Sequence, residues 1–221
     1  MNTVVTESVG TTDKRHFIAG SIVVSWLTLI VLLGLNGSYS VAVNEVPVTL
    51  ITSFIITFIV FSVSYISIPA VREYLLGIDM RFLIMLSSWR MIGIGFIMLN
   101  MFGHLPTSFS YVAGIGDALT AVAAVFLAFN LMKQEKGVRK SAILRWNTFG
   151  LLDFIIAVSL GLLTRTDALL AESNGLNGEL MMAFPMVIIP GFLVQILSLT
   201  HIIIFLQLRN NHANDAYVKI K

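Results

Sequence analysis

Long apolar segments and short polar connections alternate along the whole chain. A helix needs about twenty mostly apolar residues to cross a bilayer. Because backbone polar groups within hydrocarbon must be satisfied internally, we expect an all-α fold. The pattern predicts a membrane bundle of six transmembrane helices, at residues 17–35, 48–68, 82–102, 109–132, 146–164 and 190–208.

Basic residues predict the orientation of the bundle. Of the fourteen Lys and Arg residues, twelve fall in the tails and in alternate connections, and only Arg165 falls in the other connections. Basic loops are retained on the cytoplasmic side of a membrane. We therefore expect both chain ends in the cytoplasm, with tails at residues 1–16 and 209–221 around a transmembrane domain at residues 17–208. A cleaved signal peptide is the alternative for the first segment, which is longer than a typical signal core.

Composition supports the membrane setting and narrows the chemistry. Hydrophobic residues make up 57% of the chain and charged residues 12%. The net charge of +2 follows from orientation, so the expected partner is the bilayer and not nucleic acid. The chain contains no Cys, which excludes disulfides, thiolate metal sites and Cys nucleophiles. It contains no HExxH, GxSxG or phosphate-loop motif, and no metal site or particular cofactor is predicted.

The last apolar stretch, residues 180–208, is longer than one span requires and contains Pro185 and Pro190. Proline is favoured in the first turn of a helix and disruptive within it. We expect Pro190 to begin the last helix, with residues 180–189 along the membrane interface. The alternative is a broken or re-entrant helix that lines a site, as in many transporters.

Stripes of small and polar residues run along several predicted helices, as is typical of close helix packing in membranes. Packing does not explain Asp117 and Asp153, which lie within two of these stripes, nor Asn147 at the edge of one. By contrast, Trp146 fits the aromatic belt at a membrane interface. The stripe of the fourth helix comprises Ser110, Ala113, Gly114, Asp117, Thr120, Ala121, Ala124 and Ala128.

Ionisable residues within the spans are the candidate functional residues. Arg90, Asp153 and His201 each stand seven or eight residues from the predicted cytoplasmic end of a helix. At 1.5 Å per residue, this depth is about 10–12 Å for all three. We therefore predict an ion pair between Arg90 and Asp153 with His201 nearby. The pair is also open to a purely structural interpretation, in which it locks two helices together.

The remaining candidates lie nearer the external side. Asp117 is expected at the outer end of the fourth helix, close in height to Asn100 and His104, with His104 at the external mouth. Arg90, Asn100 and His104 share a face if the third helix continues to residue 104. A structural interpretation is open here as well, because Asp117 can cap its own helix.

Three short stretches together resemble a group of small bacterial multi-pass membrane proteins that have no assigned function. They are GIGD at 114–117 after Leu105-Pro106, RWNTFGLLD at 145–153, and PMVIIP at 185–190 before LTH at 199–201. The resemblance covers residues 80–208 and implies a bacterial inner-membrane setting without a particular activity. It singles out Asp117, Asn147, Asp153, Pro190 and His201.

Three functions are open from the sequence. The leading hypothesis is a polar intramembrane site that moves a proton, an ion or a small solute. In it, Asp153 and His201 exchange protons or bind the solute, Arg90 tunes Asp153, and Asp117 serves the external side. The alternative is a non-catalytic membrane subunit or assembly factor whose outward-facing stripes bind another membrane protein or a second copy. A membrane enzyme or cofactor binder that uses His201 and Asp153 is the third hypothesis.

Overall fold

A computed structural model describes residues 3–41, 45–133, 138–165, 169–170, 172, 175–210 and 217–218, the side chains of 3–13 and 217–218 excepted. In this part of the chain, six helices are long and apolar enough to cross a membrane. The prediction of six long apolar helices is confirmed, although their ends differ by up to six residues. The spans are Lys14–Leu35, Val48–Ser67, Met80–Met101, Thr107–Met132, Lys140–Leu163 and Ile189–Asn210.

The elements follow one another in the order expected for an all-α bundle, with a short pair of strands at one end. In chain order the helices are α1 Thr3–Leu35, α2 Val48–Ser67, α3 Pro69–Gly77, α4 Met80–Leu86, α5 Ile94–Met101, α6 Thr107–Met132, α7 Lys140–Leu163 and α8 Val194–Asn210. Strands β1 (Val138–Arg139) and β2 (Tyr217–Val218) pair antiparallel. We call the end of the bundle that holds these strands and α3 the basic end, and the other the opposite end.

The third span is not a uniform α-helix. A 3₁₀ stretch, Ser87–Gly93, separates α4 from α5 and carries Arg90 near its middle. Such a stretch has three residues per turn and rises about 2.0 Å per residue, so it is longer than the α-helical segment that it replaces. The α5 helix ends at Met101, before Gly103 with its φ of +74°, so the span does not continue to residue 104.

At the basic end, α4 begins with a charged cap. The Asp79 carboxylate accepts a hydrogen bond of 2.8 Å from the backbone N–H of Arg81 and pairs with the Arg81 guanidinium at 2.7 Å. Hydrogen bonding to the Arg81 side chain holds the pKa of Asp79 below its ordinary value. The start of the third span is therefore fixed by a capping carboxylate.

Pro190 lies in the first turn of the last span, within a π-helical turn Ile189–Leu193 that leads into α8. The expectation that Pro190 begins this helix is confirmed. The buried Gln195 side chain donates to the carbonyl oxygens of Pro190 at 3.3 Å and Gly191 at 2.9 Å. Gln195 thus adds a side-chain donor to two carbonyls in the first turns of the last span.

The segment before Pro190 differs from its expected place along the membrane interface. Met181 and Met182 are buried in a 3₁₀ turn, Gly178–Met182, and Val187 is fully buried. These side chains join the apolar core of the opposite end, where they pack with residues of several spans.

Two separate apolar cores divide the bundle along its length. The core of the basic end includes Ile84, Ala128 and Ile204, and the core of the opposite end includes Phe96 and Phe109. In each of the last four spans, the ionisable residue predicted from the sequence falls between these two cores; these residues are Arg90, Asp117, Asp153 and His201. The fold therefore places its buried charges in the middle of the bundle.

Candidate functional site

Four ionisable side chains lie near the middle of four different spans. Arg90, Asp117, Asp153 and His201 are each within three residues of the midpoint of their span. All four are buried. With Asn147 they form one connected group, which we call the charge cluster.

Arg90 joins three helices through its guanidinium. Its Nε donates to Asp117 Oδ1 at 2.7 Å, its Nη2 donates to Asp153 Oδ2, and its Nη1 donates to the Gly150 carbonyl at 2.9 Å. The guanidinium carbon also lies 3.6 Å from the centroid of the Phe154 ring, a cation–π arrangement. The predicted ion pair between Arg90 and Asp153 is present, and Asp117 forms a second pair with the same guanidinium.

His201 is held in one orientation from both sides of its ring. The Nε2 atom lies 3.4 Å from Arg90 Nη1, and Arg can only donate, so Nε2 accepts. The amide nitrogen of Asn147 donates to the His201 carbonyl at 3.0 Å, which leaves the Asn147 Oδ1 to accept from the ring Nδ1–H at 2.9 Å. This pattern assigns a neutral imidazole with its proton on Nδ1 and its lone pair toward the guanidinium.

Aromatic side chains close the cluster on two sides. The Trp146 ring lies 5.0 Å from the His201 ring, and the Phe154 ring lies 6.1 Å from it on an edge. Trp146 Nε1 donates to the Thr120 carbonyl at 3.0 Å. The expectation that Trp146 belongs to an interfacial belt is therefore wrong, because α7 begins at Lys140 and carries this ring into the bundle.

Glycines make room for the charged groups. A Cβ at Gly93 or Gly116 would overlap the facing carboxylate, and a Cβ at Gly150 would lie 2.6 Å from a ring carbon of the imidazole. The close approach of helix backbones therefore depends on the missing side chains. The pairs are Gly93 against Asp117, Gly116 against Asp153, and Gly150 against His201.

The formal charges of the cluster do not cancel. Arg90 contributes one positive charge, and Asp117 and Asp153 contribute two negative charges when both are ionised. With His201 neutral, the ionised cluster has a net charge of −1. A buried site of this kind can accept one proton or one small cation. In the described part of the chain, no group of three or more His, Cys, Asp or Glu residues is arranged to hold a metal ion.

Two sequence-based expectations are wrong, the outer position of Asp117 and the depth of the site, and so is the alternative interpretation of Asp117 as a helix cap. Asp117 stands ten residues inside α6, so it does not cap the helix. It contacts Arg90 instead of lying at the outer level, because Arg90 stands eleven residues before the end of α5 at Met101 and Asp117 ten residues after the start of α6 at Thr107, which gives the two residues similar heights. The cluster is also deeper than expected, since α4 begins at Met80 and α7 at Lys140.

Asn100 and His104 lie outside the cluster. The Asn100 side chain donates to the Leu105 carbonyl at 2.8 Å and to the Thr107 hydroxyl at 3.1 Å, and so stabilises the turn between α5 and α6. His104 is exposed in that turn. A role for His104 at an external mouth stays a prediction.

The small-residue stripe of α6 faces inward. Ala113, Ala121, Ala124 and Ala128 are fully buried. The stripe therefore packs within the protein, contrary to the outward orientation that an accessory subunit would need for docking through this face. Periodicity in the sequence identified the stripe but could not say which neighbour it would meet.

The chain was compared with known proteins and families. No curated protein and no solved structure matches it. One family model, described as a domain of unknown function (DUF8737), matches residues 45–209. This range includes four of the six spans in full, the last span except Asn210, and every residue of the charge cluster. It agrees with the resemblance to multi-pass membrane proteins without an assigned function. The chain belongs to the DUF8737 family of domains of unknown function.

Proposed function

We propose that this membrane protein moves protons across the bilayer through the charge cluster. The observation that supports the proposal most directly is that a single guanidinium pairs with two buried carboxylates at mid-span. Charges at this depth are expensive and face a bundle interior or a pathway when they occur. A cluster with one negative charge in excess is suited to binding and releasing one proton.

A proton fits the cluster better than a larger solute does. Arg90 and His201 are at most 1% exposed, and their polar atoms contact one another and neighbouring helices. A proton needs no additional volume, whereas a solute would have to displace these packed side chains. Two carboxylates and the neutral imidazole of His201 supply the acceptor atoms.

In this mechanism the pairing of the Arg90 guanidinium with the two carboxylates changes as the proton moves. A proton on Asp153 neutralises that carboxylate, weakens its pair with Nη2, and leaves Arg90 paired with Asp117. Release of the proton restores both pairs. The Nε2 lone pair of His201 offers a second acceptor, and Asn147 holds it in place.

The proposal includes the orientation and the location of the protein. Lys14, Arg72, Arg81 and Arg209 all lie toward the basic end, which we place in the cytoplasm with both chain ends. The family resemblance favours a bacterial inner membrane. In that setting the opposite end faces the proton-rich side of an energised membrane.

Proton flux into vesicles tests the proposal. Purified protein is reconstituted with a pH-sensitive dye trapped inside, and a potassium gradient with valinomycin supplies the driving potential. We expect acidification with the wild type and its loss with Asp153→Asn. The matched control is Asp79→Asn, which removes a carboxylate outside the cluster and is expected to retain the flux. Wild-type flux equal to that of protein-free vesicles would overturn the proposal, and so would undiminished flux in a folded Asp153→Asn variant.

A second candidate function is that of a non-catalytic subunit that docks on another membrane protein or a second copy. The observation that favours it is the weak packing of the first two spans. Only 11% of the first and 6% of the second are buried, against 28–56% for the others. A native mass spectrum of gently extracted protein tests this candidate. A second polypeptide that is lost on replacing Ile59 with Trp on the exposed face of α2 would support it, and a bare monomer would count against it.

A further inference from the structure

Two buried serine hydroxyls differ from the other buried serine and threonine hydroxyls that the structure describes. Ser87 and Ser110 are fully buried, and neither hydroxyl finds a hydrogen-bond partner among the residues that the structure describes. Hydroxyls in membrane helices commonly donate to a carbonyl one turn back in their own helix. Thr120, Thr164 and Ser198 do so, at 2.9, 2.7 and 2.7 Å.

Both serines are on the face of the cluster. In the 3₁₀ stretch, residues three apart eclipse, so Ser87 points to the same side as Arg90, about 6 Å nearer the basic end. On α6, Ser110 stands seven residues, or two turns, before Asp117 and about 10 Å nearer the opposite end. The two hydroxyls therefore lie on the same line as the cluster, one on each side of it.

Small residues lie between Ser110 and the cluster. Ala113 and Gly114 separate Ser110 from Asp117 on α6, and Gly114 packs closely against the Gly93 carbonyl and the Ile97 side chain of the third span. Leaving a buried hydroxyl without a partner is costly, so such groups are normally satisfied by the protein or by an ordered water. A water molecule that reaches either serine therefore gains a hydrogen bond without displacing one that the protein already makes.

We infer that Ser110 and Ser87 form the two halves of the proton path, Ser110 toward the opposite end and Ser87 toward the basic end. This inference rests on the proposed function. A hydroxyl oxygen accepts a proton from a water on one side and releases its own proton to an acceptor on the other. The serine is thus unchanged after each transfer, and no oxidant or co-reactant is required.

Flux measurements with Ser87→Ala and Ser110→Ala test the relay. Each variant removes one hydroxyl and leaves the carboxylates, the guanidinium and the imidazole in place. We expect each to slow the flux severalfold, whereas Asp153→Asn abolishes it. Ser198→Ala is the matched control, because it removes a buried hydroxyl that is already bonded to the Val194 carbonyl. Wild-type flux in both Ser87→Ala and Ser110→Ala would overturn the inference and leave the proposed function standing.

Thiol labelling gives a readout that does not depend on flux. The chain has no Cys, so Ser87→Cys and Ser110→Cys each introduce a single thiol. We expect methanethiosulfonate ethylammonium to modify Ser110→Cys when it is added on the side of the membrane that the opposite end of the bundle faces. We expect it to modify Ser87→Cys when it is added on the side that the basic end faces. Ala128→Cys, at a fully buried position in the apolar core, is the control and should stay unmodified.

The labelling outcomes separate the two proposals. If both serine positions are as unreactive as Ala128→Cys, the path is overturned whatever the flux. If they react while the wild type carries no proton flux, the hydrated path is retained and proton movement as the function is overturned.

Discussion

At the scale of single residues, Arg90 is the side chain on which the bundle interior depends most. It pairs with carboxylates on α6 and α7, donates to a carbonyl on α7, and lies against an aromatic ring. Removing one partner of a buried pair leaves an uncompensated charge, which costs more than the pair itself contributes. The two carboxylates therefore make the protein intolerant of a neutral residue at this position.

The stability of Arg90→Gln follows from this arrangement. We expect a loss of about 3–5 kcal/mol in the free energy of unfolding, because two buried carboxylates remain without their counter-charge. Chemical unfolding in mild detergent, followed by circular dichroism, measures the change. The triple variant Arg90→Gln/Asp117→Asn/Asp153→Asn should recover much of the loss. A single variant as stable as the wild type would contradict the assignment of both ion pairs.

The tautomer of His201 is a second prediction at this scale. With ring nitrogens labelled by ¹⁵N, magnetic resonance should find His201 neutral, with its proton on Nδ1. Asn147→Leu removes the acceptor of that proton and the donor to the His201 carbonyl, and should lower stability by about 1–3 kcal/mol. A proton on Nε2 in the wild type would show that the side-chain amide of Asn147 is turned the other way.

Some residues of the site were accessible to sequence reasoning and others were not. Equal depth along the spans was enough to pair Arg90 with Asp153. It failed for Asp117, because its height was counted from predicted helix ends at 102 and 109, whereas the spans end at Met101 and begin at Thr107. Phe154 and Trp146 were missed for a different reason: aromatic residues are common in every span, so composition does not single out those that pack on a charge.

At the scale of elements, the 3₁₀ stretch and the glycines of α6 and α7 decide how closely the helices approach. Gly93 lies in the third span against Asp117, whereas a Cβ at Gly95, two residues later, would meet no heavy atom of a neighbouring element within 4 Å. The two glycines therefore form a matched pair with the same chemistry and different surroundings.

Alanine at these two positions should have opposite effects. Gly93→Ala forces the new methyl group into the Asp117 carboxylate, and overpacking of this kind costs about 1–3 kcal/mol. Gly95→Ala should be neutral or stabilise α5 by up to about 1 kcal/mol, because alanine favours a helix more than glycine does. Thermal unfolding of the two variants in one detergent provides the comparison. Equal stabilities would mean that α6 does not approach the third span this closely.

At the scale of the whole molecule, the sequence predicted the number of spans and their order because each is a long apolar run. It did not predict the two cores or the placement of residues 180–189 inside one of them. Those features depend on which faces meet, and an apolar segment is equally compatible with lipid and with a protein interior. The small strand pair at the basic end was also outside what periodicity can reveal, since each strand has only two residues.

Orientation is the testable property at this scale. A phosphatase reporter that is active only outside the cytoplasm should be inactive when fused after Lys221 and active when inserted at Gly175, in the loop before the last span. The loop between α6 and α7, with its basic residues, provides the second inactive control. The reversed pattern would contradict the predicted orientation.

The charge cluster is central to this account. Infrared spectroscopy tests it most directly, because a protonated carboxylic acid absorbs at a different frequency from a carboxylate. Spectra of the purified protein are recorded as the pH is lowered, in water and in deuterium oxide. We expect the wild type to gain a buried carboxylic acid band that shifts in deuterium oxide, is lost in Asp153→Asn or Asp117→Asn, and persists in Asp79→Asn. If the folded wild type shows no such band at any pH, the cluster does not bind a proton and the proposed function is wrong.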